Sequence, residues 1–80
     1  MEYQAIIQSQ NGPDGGWLDY TREAIRVRPN DTAETVMARA AVLAGIARNN
    51  CYGGKPAFRA RIEAWGDDPL EIKNRVVDAG

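Results

Sequence analysis

The sequence predicts an α+β domain: a mainly antiparallel sheet of three or four strands packed on one main helix, in the order ββαβ followed by a short terminal element. Three observations carry this reading. "YQAIIQSQ" near one end and "AFRARIEAW" near the other alternate with period 2, as strands with one buried face do. Between them, "DTAETVMARAAVLAGIARNN" has the apolar spacing of a helix, and the Gly- and Asn-rich stretches "NGPDGG" and "NNCYGGKP" separate the three. A chain of 80 residues forms one domain, residues 1–80. Its 44% hydrophobic and 26% charged residues place it among globular rather than disordered chains.

In the first strand Tyr3, Ala5 and Ile7 share one side, and Gln4, Ile6 and Gln8 the other. Asn11 to Gly16 offer Asn-Gly and Gly-Gly dipeptides that reach positive φ cheaply, so a hairpin return is expected there. The second strand runs from Trp17 to Pro29, but its parity slips. Leu18 and Tyr20 share one phase, Ile25 and Val27 the other, which predicts either a bulge near Thr21 to Glu23 or two short strands.

Asp31 or Thr32 caps the helix, with Glu34 placed to reach back to Asp31, and the helix extends to about Arg48. Its core stripe is Val36, Ala40, Leu43 and Ala47, with Met37 and Ala44 on the flank and Val42 and Ile46 off it. Ala38, Ala41 and Gly45 on the back either reflect plain helix propensity or accept a close neighbour, the carboxyl-terminal segment or another subunit. Asn and Gly in "NNCYGGKP" suit left-handed caps. In the third strand Phe58, Ala60, Ile62 and Ala64 point to the helix, while Ala57, Arg59, Arg61, Glu63 and Trp65 point away. After "GDD", Pro69 opens a short helix capped by Asp68 with Glu71 in the reciprocal position, or Leu70, Ile72 and Val76 alternate in a last strand. The expected core is Tyr3, Ala5, Ile7, Ile25, Val27, Val36, Ala40, Leu43, Phe58, Ala60 and Ile62.

If Ile25 and Val27 face the helix, Arg22, Ala24, Arg26 and Arg28 face outward and join Arg59 and Arg61. Five of ten basic residues then share one sheet face, with Tyr20 or Trp65 at its margin able to stack on a planar partner group. The competing reading is a merely solvated face, with Arg26 or Arg61 paired to Glu23, Glu63 or Glu2. The binding candidates are Arg26, Arg28, Arg59, Arg61 and Trp65, and the expected partner is an acidic protein surface. Nucleic acid is a weaker expectation, because a net charge of −1 gives no long-range pull toward phosphate. Homodimerisation through the alanine-rich helix back is a third.

Enzymatic chemistry finds no support. The chain has no histidine and one cysteine, Cys51, which excludes a zinc site and an intramolecular disulfide and leaves no imidazole to activate the thiol. Asp67 and Asp68 are read as caps, not as an acid–base pair, and neither "GPDGG" nor "YGGK" has phosphate-loop spacing. No catalytic residue, metal or cofactor is expected. Cys51 is expected to be half-buried after the helix. With no basic leader at the start and no run long enough to span a bilayer, the expected location is the cytoplasm.

Three resemblances accompany these readings. "AIRVRPNDTAETVMARA" resembles the strand and helix of ubiquitin-like β-grasp proteins, while the ending "VVDAG" lacks the diglycine of a conjugated modifier. "YQAIIQSQNGPDGGW" is similar to the first hairpin of HicB-type antitoxins, which neutralise a partner toxin. In size, opening strand and "DTAETVMARA" helix, the whole chain resembles short proteins encoded by actinobacterial phages and mobile elements, which implies an interaction protein able to inhibit or regulate host machinery.

Overall fold

The computed structural model describes residues 1–10, 14–51 and 56–80. Strand β1 (Glu2–Ser9) lies inside the sheet, paired antiparallel with β2 (Leu18–Arg26) on one side and β3 (Phe58–Glu63) on the other. A short strand β4 (Val76–Asp78) pairs antiparallel with β3, so the order is β2-β1-β3-β4, and helix α1 (Ala33–Asn49) covers one face. The terminal element is therefore a strand.

The period-2 reading holds along β1 and β3. Tyr3, Ala5 and Ile7 are buried against Phe58, Ala60, Ile62 and α1, joined by Ile25 at the start of the partner register. Ile6 points to the opposite face and is still only 2% exposed, flanked in register by the long side chains of Arg22 and Arg61.

The parity slip in β2 is a bulge. Ile7 pairs with Thr21 and Gln8 with Asp19, which leaves Tyr20 as the extra residue, one position before the expected window. The bulge turns Tyr20 to the helix side, where its ring meets Phe58 edge-on at 5.3 Å between centroids. Tyr20 thus does not border the outer face, and the hairpin residues Asn11, Gly12 and Pro13 lie outside the described residues.

Thr32 caps α1, and the box is closed by Thr35 rather than Glu34: each threonine hydroxyl accepts from the other's backbone N–H. Asp31 sits one residue outside, where its carboxylate accepts from the Arg28 amide, the Thr35 hydroxyl and Arg39. At the other end Asn50 has φ −97°, so it caps without a left-handed turn, and Gly53 and Gly54 lie outside the described residues.

The helix presents Val36, Met37, Ala40, Ala44 and Ala47 to the core, rotated from the expected stripe toward Met37 and Ala44. Leu43 consequently sits half-buried at the margin, as does Val27. The carboxyl-terminal segment crosses the helix back: the Gly80 amide donates to the Ala41 carbonyl at 3.0 Å, and Arg48 donates to the Gly80 carbonyl at 3.3 Å. A Cβ on Gly45 would collide with that carbonyl, so the close neighbour expected at Ala41 and Gly45 is the chain's own segment.

The connection from β3 to β4 is a folded loop, not a helix. Tyr3 reaches it from β1: its hydroxyl donates to Asp68 Oδ1 at 2.6 Å and accepts from the Leu70 amide at 3.0 Å. Asp68 in turn accepts from the Ile72 and Lys73 amides, and Gly66, Glu71 and Asn74 turn through positive φ. This seats Ile72 in the core with no exposed surface.

Burial raises the Tyr3 pKa, with the Asp68 hydrogen bond adding to it, and the same bond holds the Asp68 pKa below the ordinary carboxylate value. The Arg28 amide is the main reason the Asp31 pKa is lowered as well. Carboxyls lowered on folding contribute stability that is present above the unfolded value of about pH 4 and is lost as pH falls through the folded values. Denaturant midpoints should therefore fall below about pH 4, and Asp31→Asn with Asp68→Asn should flatten that acid limb. Tyr3→Phe leaves the Leu70 N–H and an Asp68 oxygen without this partner. Chemical denaturation at neutral pH should show a loss of about 1–3 kcal/mol.

Candidate interaction face

The face of the sheet away from α1 is set by register. Arg22, Ala24 and Arg26 of β2 lie beside Ile6, Gln4 and Glu2 of β1, which lie beside Arg61 and Glu63 of β3, with Arg59 next to Gln8. Arg22, Arg26, Arg59 and Arg61 do share one face, as expected. That face also carries the carboxylates of Glu2, Asp19, Glu63 and Asp78, the last directly opposite Arg59. Four arginines against four carboxylates leave it balanced rather than basic.

Its inner arginines are engaged. Arg59 Nε donates to Gln8 Oε1 at 2.8 Å, Gln8 Nε2 donates to Asp19 at 2.9 Å, and the Arg59 guanidinium lies 4.1 Å from the Trp17 ring centroid. Arg22 of β2 approaches Glu63 of β3 at 3.6 Å, and Arg61 approaches it from within β3 at 3.8 Å, so the face carries one cross-strand Arg–Glu pair and one pair along a strand, both centred on Glu63. Glu23 plays no part, because it lies opposite Ala5 on the helix side. Such exposed pairs contribute under about 1 kcal/mol each. Trp65, just past β3, is 72% exposed, with Arg22 5.5 Å from its ring centroid.

The outer arginines differ. Among the described residues, the guanidinium groups of Arg26 and Arg28 have no hydrogen-bond or ion-pair partner. Arg28 lies past the end of β2, not within it. Both residues border a groove of about 380 Å³ between β2 and α1, whose lining also includes Ile25, Val42, Leu43 and a third arginine, Arg39. Arg39 is oriented by Asp31 at 2.6 Å and donates to the Arg26 carbonyl at 3.1 Å, while its buried Nε finds no acceptor among the described residues. Toward the other end of β2 the trough continues past Tyr20, Leu43 and Ile46. Val42 and Ile46 are 57% and 51% exposed, so the two apolar helix residues that fall off the core stripe line an open surface.

The five sequence-derived candidates therefore separate. Arg59 and Arg61 have partners within the sheet face, Trp65 stands exposed at its end, and Arg26 and Arg28 border the groove without an ion-pair partner among the described residues. Cys51 is half-buried. The Trp17–Arg59 stack depends on the position of the bulge in β2, and the placement of Arg39 on the position of the helix, neither of which strand or helix periodicity reports. No helix is long and apolar enough to cross a membrane. Compared with protein-family models, curated proteins and solved structures, the chain matches none of them.

Removing the Glu63 carboxylate tests the pairing on this face. Glu63→Gln should change stability by less than about 1 kcal/mol. It should also shift Trp65 fluorescence as Arg22 loses its anchor; an unchanged spectrum means that Glu63 does not position Arg22.

Proposed function

We propose that this protein is a small non-enzymatic binding module that engages an acidic protein surface through its arginines, with Arg26 and Arg28 at the β2 edge as the principal contacts. Arg59, Arg61 and Trp65 extend the same face. The observation that carries this reading is the pair of unpartnered guanidinium groups bordering an open apolar groove. Guanidinium groups next to apolar surface suit a carboxylate partner whose body is itself apolar, since each group finds its complement and little charge is left desolvated and unpaired.

The balanced charge of the sheet face gives a phosphate backbone no broad stripe to follow, which favours a protein target over nucleic acid. Poly-glutamate and a single-stranded oligonucleotide compare the two directly by fluorescence titration at low salt. Binding of poly-glutamate should weaken about tenfold in Arg26→Ser/Arg28→Ser. It should weaken less in Arg59→Ser/Arg61→Ser, and the oligonucleotide should bind poorly to all forms. Preferential, steeply salt-dependent binding of the oligonucleotide would move the function to nucleic acid.

A further inference from the structure

We propose that the partner enters as an added strand: a short segment alternating acidic and apolar residues pairs with the free edge of β2 over Arg22–Arg26. Its apolar side chains would lie on Ile25, Val42 and Leu43, and one carboxylate would lie over Ala24. This rests on the acidic-partner reading and names how that partner is held.

β2 is an edge strand, and the direction of its backbone groups follows from two hydrogen bonds. The Val27 amide donates to the Met1 carbonyl of the neighbouring strand at 2.9 Å. Successive residues of a strand turn their N–H and C=O to opposite edges, so Val27, Ile25 and Glu23 face β1 and the residues between them face outward. The Arg26 carbonyl accordingly receives Arg39 from outside, at 3.1 Å. Arg22 and Ala24 therefore direct both N–H and C=O outward, and none of these four groups meets another among the described residues. The Arg39 plug on one side and the Tyr20 bulge on the other limit the usable edge to this short stretch.

The side chains along that stretch define the complement. On the outer face, Ala24 leaves a notch between Arg22 and Arg26, so a carboxylate on an added strand opposite Ala24 lies diagonal to both guanidinium groups. On the other face, the next residue of that strand enters the groove of about 380 Å³ over Ile25, Val42 and Leu43. Acidic on one face and apolar on the other is a period-2 pattern, which an extended segment can present and a helix cannot.

A second copy of this chain fits less well. In an antiparallel pair, residues opposite each other share a face. Centring β2 against itself on Arg22 or Glu23 sets like charges directly opposite, and centring on Ala24 or Ile25 sets Arg22 against Arg26 or Arg28. The edge is built against itself and open to an acidic strand.

The probe is a short capped peptide alternating glutamate with valine, beside an isomer of the same composition with the two residue types in separate blocks. The alternating peptide should bind more tightly and slow amide exchange at Arg22 and Ala24. Ala24→Pro removes an outward N–H that β1 does not use, and should weaken binding about fivefold or more. If that variant misfolds, Ala24→Glu, which fills the notch with like charge, should do the same. If both peptides bind equally and the Arg22 and Ala24 amides stay fast, strand addition is overturned while the acidic-partner reading stands. If neither peptide binds at low salt, both fall.

Discussion

The organisation of this protein depends on β1 being buried from both faces and paired along both edges. Once Tyr3, Ala5 and Ile7 are committed to the helix and Ile6 to the opposite face, β2 and β3 can only be its neighbours, and the sheet grows onward from β3 alone. Tyr3 also ties this strand to the far end of the chain. Its hydroxyl satisfies Asp68 and Leu70 together, and the loop so organised delivers Ile72 to the core and β4 to the β3 edge. The carboxyl-terminal segment then occupies the helix back. The β3 edge and one side of the helix are thereby covered by the chain itself, while β2 with the adjoining side of α1 is left open.

That asymmetry gives the arginines their different meanings. At Arg59 and Arg61 the neighbours are sheet residues that bind the guanidinium groups in place, directly through Gln8 and Glu63 and by stacking on Trp17. Arg26, beside Glu2 at the last paired position of β2, and Arg28, past the strand, form no ion pair among the described residues, and the groove beside them is largely apolar. A basic face read as a unit from strand parity is two populations of arginine, one stabilising the sheet surface and one available. The location of the break follows from where the strands stop.

Much of the fold was legible because its signals are local. Alternation in "YQAIIQSQ" and "AFRARIEAW" marks strands by steric period alone, and the Asp-Thr entry followed by spaced apolar residues marks the helix. The site was legible only in part. The slip between Leu18 and Ile25 signalled a bulge, but which residue is extra depends on pairing with Ile7 and Gln8, a non-local choice that also decides the side on which Tyr20 lies. The capping partner Thr35 was hidden behind the equally plausible Glu34, since both can reach back. The approach of Gly80 to Gly45 joins sequence-distant residues whose contact no periodicity reports. The Tyr3–Asp68 clamp spans 65 positions and has no signature in either segment.

β2 is an edge strand whose outward backbone groups are those of Arg22 and Ala24. Residue-resolved amide exchange on the free protein tests it most directly. Exchange should alternate along this strand, with Glu23 and Ile25 slow and Arg22 and Ala24 fast. Uniform protection of all four amides in the free protein would contradict it, because the edge would then already be covered.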